Sequence, residues 1–227
     1  MIKMNELQQE QYSRQIKLDN IGIKGQEALL HSSVCVVGCG GLGNTILTQL
    51  VTMGVGKIKI IDGDNVELSN LHRQHLFTKK DIGISKVICA GTRLKHKNED
   101  CIIETSNIWF NDSTHEEIKG YDVVIDALDS QLSRRSLNAA CVKYKIPLVT
   151  GAAVKDRGQV FTVIPGESPC YNCVYGPSNA ETLSMEACNT QGINPSVLSI
   201  IASMQVSETI DIIVGNKPQL LNKILFF

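Results

Sequence analysis

VCVVGCGGLG, residues 34–43, reads as a short buried strand, a tight turn and the start of a helix. Apolar residues with β-branched valines suit a strand covered on both faces. The glycines at 38, 40, 41 and 43 then lead into the helical spacing Leu42, Ile46, Leu47 and Leu50. A glycine turn feeding a helix N-terminus lets phosphate oxygens approach free amide hydrogens, and the helix dipole favours their charge. The plainer alternative is a βα turn that binds nothing. Against it stands Asp62, at the end of the next apolar run KIKII (57–61) and 24 residues beyond Gly38. That is close to the spacing at which a βαβ nucleotide site places the carboxylate that accepts from ribose hydroxyls.

Outward from this unit, strand-like and helix-like segments alternate. Residues 84–97 predict a helix with Lys86 in its first turn, 102–105 a strand, 113–119 a helical stretch, and 121–126 (YDVVID) a strand followed by ALDS. Residues 133–145 predict a helix and 146–151 (IPLVTG) a buried strand. Such alternation implies a mainly parallel sheet with helices on both faces, whose ligands bind at the carboxyl ends of the strands. Gly38 to Gly43, Asp62 and Asp129 are all assigned to that edge. After Gly151 the pattern changes: QVFTVI (159–164) alternates like an antiparallel strand, 166–186 is irregular, and 196–214 is a helix apolar on several sides. The closing NKILFF reads as part of a strand.

The 227 residues, 43% of them hydrophobic, can bury a substantial core, and no polar linker divides them. We therefore read one domain with three parts: an N-terminal helical segment (1–32), a nucleotide-binding core (33–155) and a C-terminal extension (156–227). In the first part a polar helix, a turn near Gly22 and Gly25 and a helix from Gln26 to His31 are expected to pack on the core or on a second copy. With 22 basic against 23 acidic residues there is no basic face for nucleic acid. The N-terminus lacks a secretory pattern, and Gln205, Glu208 and Asp211 interrupt the one long apolar segment, which argues against a membrane span. A cytosolic location follows as the expectation. There the eight cysteines are not a disulfide framework. Cys35, Cys89 and Cys141 fall in core patterns.

Several further motifs stand in order along the chain: RQ at 14–15, GCGGLG at 38–43, IDGDNVELSNLHRQ at 61–74, Lys86, DALDS at 126–130, GAAV at 151–154 and CYNC at 170–173. Together they resemble the HesA/MoeB/ThiF family of ubiquitin-activating-like adenylyltransferases, over nearly the whole chain. The resemblance implies a Rossmann-like fold. It also implies ATP- and magnesium-dependent adenylation of a carboxylate with release of pyrophosphate, usually on the C-terminal glycine of a ubiquitin-like sulfur carrier of thiamine or molybdopterin type. By the same correspondence Arg73 and Lys86 contact the phosphates, Asn70 and Gln74 belong to the nucleotide site, Asp62 takes the ribose, and Asp129 holds Mg²⁺. Arg14 completes the site of a partner subunit in a homodimer. Cys188, in EACNTQG, aligns with a cysteine that in one group of the family bonds covalently to the activated carrier; a structural thiol is the alternative. Cys170 and Cys173 supply half of a tetrahedral zinc site, for which the usual second CxxC is absent from this sequence. Ser130 stands where the family often has asparagine, and Asp64 is assigned a supporting place in its loop without a catalytic role.

The residues make chemical sense for that reaction. A carboxylate attacks a polyanionic triphosphate poorly, so cations must neutralise the phosphates and hold both partners in line. No general base is needed, since the carboxylate is ionised at neutral pH. The competing readings are adenylation of a small-molecule carboxylate, as in the family branch serving the guanylylpyridinol cofactor of methanogen hydrogenase; a dinucleotide-dependent oxidoreductase; and a nucleotide-binding scaffold without turnover.

Overall fold

In the computed structural model, which describes residues 4–176 and 192–227, seven strands form one sheet in the order β3-β2-β1-β4-β5-β6-β7. The strands are β1 (Ser33–Val37), β2 (Lys57–Ile61), β3 (Ile102–Ser106), β4 (Val123–Asp126), β5 (Leu148–Val154), β6 (Arg157–Val163) and β7 (Leu225–Phe226). The first five pair in parallel, whereas β6 and β7 are antiparallel. The helices are α1 (Glu6–Gln11), α2 (Gly22–His31), α3 (Gly41–Met53), α4 (Lys86–Lys97), α5 (Gln131–Tyr144), α6 (Tyr171–Tyr175) and α7 (Pro195–Ile213).

Alternate strand residues point to opposite faces, and the core divides accordingly. Val34, Val36, Ile58, Ile60, Val123, Ile125 and Val149 pack with α2, α3, α4 and α7 on one side. Cys35, Val37, Ile61, Val124 and Leu148 pack with α5 and α6 on the other. Cys35, Cys89 and Cys141 are buried, as their patterns predict. The reversal of strand order falls between β1 and β4, which opens a crevice at their carboxyl ends.

Several boundaries differ from the sequence reading. Helix α2 begins at Gly22 rather than Gln26, and Gly25 lies inside it against Ile21 and Val214, where a Cβ would come within 3.2 Å of both side chains. Residues Asp112–Ile118 wind as a 3₁₀ helix. Strand β5 runs past Gly151 to Val154 and turns at once into β6. The N-terminal helical segment packs on the main domain of the same chain: Asn98 donates to the Tyr12 hydroxyl at 3.1 Å, and Gln15 and Gln26 both donate to the Met53 carbonyl at 3.0 Å.

Helix α7 is long and apolar enough to span a membrane by length and composition. It lies instead against α3 and strands β4 to β6, and each interrupting polar residue is used inside. The Gln205 amide donates to the carbonyls of Asp126 (2.8 Å) and Val149 (3.2 Å). Glu208 accepts from Thr162 Oγ1 (2.6 Å) and from the amides of Gln219 and Leu220 (3.0 Å each). Asp211 accepts from the Asn216 side chain at 3.3 Å.

Candidate functional site

The crevice at the β1/β4 reversal is a cavity of about 550 Å³, lined by the glycine turn, Asp62, Asp64, Asn70, Arg73, Gln74, Lys86 and Asp129, with Trp109, Arg135, Tyr171 and Tyr175 among its other walls. A volume in this range suits a cofactor-sized ligand. The glycines of the turn have different jobs. Gly38 has φ of +105°, and a Cβ there would sit 2.4 Å from the Ala127 carbonyl oxygen. A Cβ on Gly43 would meet the Gly38 oxygen at 2.0 Å, and one on Gly41 would meet Leu198 at 2.6 Å. These three let strand, turn and helices pack closely. A Cβ on Gly40 would meet only the tip of Gln74, at 3.9 Å, so of these cavity-lining glycines it leaves a ligand the most room to approach the backbone.

Asp62 clasps this turn from the end of β2, accepting from the amides of Cys39 (2.6 Å) and Asp64 (2.8 Å). Burial raises its pKa above the ordinary carboxylate value, against the pull of Lys86 and of those two amides. Lys86, whose side chain is buried, ion-pairs with Asp64 at 2.7 Å. Burial would raise Asp64 as well, but the hydrogen bond and charge of Lys86 outweigh it and hold that carboxyl below its usual range. Asp64 also accepts from the Trp109 indole at 3.3 Å. It therefore does more than support its loop: it fixes a site cation and a site aromatic.

Asn44, which the sequence reading passed over, ties the glycine turn to the loop carrying Asn70, Arg73 and Gln74. Its amide donates to the carbonyls of Cys39 (2.8 Å) and Gly40 (3.0 Å), and its oxygen accepts from the Leu76 amide (2.8 Å). Arg73 donates to the Ser69 carbonyl at 2.8 Å and has no ion-pair partner among the described residues. The Gln74 oxygen is buried at the cavity without a hydrogen-bond partner. A cation without a counter-charge suits an anionic ligand, and the unpaired Gln74 oxygen is an acceptor that a hydroxyl or amino group of a ligand would satisfy.

Asp129 is exposed at the cavity, and the cap of α5 is Ser130, so the aspartate is not spent on the helix. Its turn is anchored by a buried pair the sequence reading also missed. Arg134 donates to Asp126 (3.0 Å), to the Gly151 carbonyl (2.8 Å) and to the Leu128 carbonyl, while Asp126 accepts from Thr150 Oγ1 (2.6 Å). On the far wall Arg135 donates to Asn172 and to the Gly176 carbonyl, each at 2.7 Å.

The cavity thus brings together Gly38, Gly40, Gly41, Asp62, Asn70, Arg73, Gln74, Lys86 and Asp129. Gly43 lies behind it as packing. Arg14 is exposed and outside it; the neighbouring Gln15 is bonded to Met53, at the end of α3 remote from the cavity. Cys170 and Cys173 sit at the start of α6 with sulfurs 3.6 Å apart, and among the described residues no group of three potential ligands could hold a metal ion. Cys188 lies outside the described residues.

The sequence and the fold are similar to those of known proteins. The chain is 40% identical over 227 residues to the adenylyltransferase and sulfurtransferase MOCS3 of Aedes aegypti, covering 99% of this chain and 52% of that protein. It is 36% identical over 222 residues to the Dictyostelium discoideum protein of the same name, covering 97% and 52%. The chain therefore spans about half the length of these relatives. Among solved structures, E. coli MccB with ATP superposes with a TM-score of 0.83 at 24% identity, covering 99% of this chain and 70% of that one. PaaA superposes with a TM-score of 0.82 at 25% identity, covering 100% and 72%. Residues 12–227 match the ThiF family, and the chain belongs to it.

Proposed function

We propose that this chain adenylates a carboxylate with ATP and releases pyrophosphate, and that the carboxylate is the C-terminal glycine of a ubiquitin-like sulfur carrier. The observation that carries this is the meeting of the glycine turn, Asp62, Arg73, Lys86 and Asp129 in one cavity at the strand-order reversal. An oxidoreductase reading fits poorly, because Arg73, Lys86 and Asp129 gather charge on the cavity wall, which suits phosphates better than a nicotinamide ring.

In the reaction a carboxylate oxygen bonds to the α-phosphorus and the bond from that phosphorus to the bridging oxygen of the β-phosphate breaks. Pyrophosphate takes the electron pair, and no proton has to move. Arg73 and Lys86 neutralise the phosphates; Lys86 spends one of its three donors on Asp64 and keeps two for the ligand. Asn70 and Gln74 add neutral donors, and Asp62 has lone pairs left for ribose hydroxyls beside its two amide bonds. Magnesium fits the donor set, since a single exposed carboxylate, Asp129, beside a phosphate site is what a cation sharing its shell with phosphates and water requires. When bound it would draw charge off the phosphates. A zinc ion would need Cys170, Cys173 and two further ligands from outside the described residues.

The carrier is supported by the names of the MOCS3 relatives, which join adenylyltransferase with sulfurtransferase. We further propose that the enzyme is a homodimer in which Arg14 serves the partner's site, consistent with its position outside its own. Exchange of labelled pyrophosphate into ATP, run with diglycine-ended carriers and with a panel of small aromatic and heterocyclic acids, tests the substrate. Exchange with a small acid and with no carrier would move the protein to metabolite activation.

A further inference from the structure

Trp109 lies in the loop that follows β3, and 71% of its surface is exposed, although it lines the cavity. It is held in place. Its indole N–H donates to Asp64 at 3.3 Å, and the Asn111 side chain donates to its carbonyl at 3.1 Å. The pyrrole half of the ring rests on the backbone at Gly63, where a Cβ would come within 2.7 to 2.8 Å of Cδ1, Cγ and Nε1. Glycine at 63 is what permits this contact. A tethered, largely uncovered indole beside a polar cavity has surface to offer to a flat apolar group.

We propose that Trp109 is the base-recognition residue of this site, and that the purine of the bound nucleotide packs on its exposed indole. The inference rests on the nucleotide reading given above. Sheet order supplies the direction: phosphates belong at the β1/β4 reversal, the ribose at Asp62 on the end of β2, and β3 is the next strand out. Neighbouring strands are about 4.8 Å apart, so a base joined to a ribose at Asp62 reaches the loop after β3. Asp62 and Trp109 are moreover joined through Gly63, since the ring lies on the residue that follows the aspartate. The other ring in this loop is committed, because Phe110 is buried and stacked on His115 at 5.9 Å. Bases stack on aromatic side chains strongly enough for removal of the ring to be measured.

Trp109 is the only tryptophan in the chain, so its emission reports on this position alone. With the full chain, ATP plus magnesium is expected to change that emission saturably and to shield it from acrylamide. Equilibrium dialysis should show Trp109→Ala binding ATP about tenfold more weakly and Trp109→Phe recovering most of the loss, with inhibition by inorganic tripolyphosphate equal in all three proteins. The last comparison separates base contact from a general disturbance of the cavity. If the wild type binds ATP with no change in emission or shielding, or if Trp109→Ala weakens tripolyphosphate as much as ATP, the assignment is overturned while the nucleotide site stands. Failure of the wild type to bind ATP at all would remove both.

Discussion

Asp126 and Asp129 stand three residues apart in one motif and face opposite environments. Asp126 is 1% exposed and holds Arg134 and Thr150 across the base of the turn, whereas Asp129 is exposed at the cavity. Asp129→Ala should therefore cut pyrophosphate exchange by at least about 100-fold, as loss of a group acting on transition-state charge does, and leave the urea unfolding midpoint unchanged. Asp126→Ala should do the reverse first: it strands the buried Arg134 without its counter-charge and should cost about 3–5 kcal/mol of stability. Sequence alone marked both aspartates as part of DALDS but could not separate them. Burial at 126 is imposed by Arg134 on α5 and by Thr150 and Gly151 on β5, and no local pattern carries that information. Asn44 and the partners of Asp64 escaped for the same reason, since each residue acts on groups that only the fold brings near.

Among the elements, β1 to β5 were legible because βαβ units announce themselves by apolar runs, glycine turns and helical spacing. Helix α7, apolar on several sides, was legible as a helix packed on the sheet, but the bonds of Gln205 and Glu208 were not, because they reach strands distant in sequence. The β2/β3 side of the sheet carries a polar network that sequence does not reveal. Lys59 pairs with Glu117 at 2.5 Å, Lys57 with Glu104 at 2.9 Å, and the Tyr121 hydroxyl donates to Glu104 at 2.6 Å. The Tyr121 hydrogen bond, then Lys57, holds Glu104 below its ordinary pKa of 4.5; the Lys59 hydrogen bond does the same for Glu117, outweighing the effect of burial. Because the folded values lie below the unfolded ones, the stabilisation is present above the unfolded pKa and is lost as pH falls through the folded pKa. The urea midpoint should thus drop as pH is lowered below 4.5, and Glu117→Gln should flatten part of that drop.

For the molecule as a whole, the described residues supply nearly every expected member of the site from one chain, with Arg14 left outside. Its neighbour Gln15 anchors the N-terminal segment at the remote end of α3, so no local rearrangement of a side chain would bring Arg14 into its own cavity. If the site is shared between subunits, Arg14→Ala and Asp129→Ala proteins, each inactive alone, should regain part of their exchange activity when mixed and allowed to re-form dimers. One site in such a heterodimer has both residues intact. Exchanging heterodimers that recover nothing would assign Arg14 to its own chain or to no role.

If one cavity joins a carboxylate to the α-phosphate of ATP, pyrophosphate exchange reads that step directly, since label enters ATP only when the adenylate forms and reverts. The wild-type chain with magnesium, ATP and a diglycine-ended carrier should incorporate labelled pyrophosphate into ATP, and omission of the carrier should stop it. Absence of exchange with every carboxylate offered, together with tight binding of NADH and none of ATP, would rule out adenylation at this cavity.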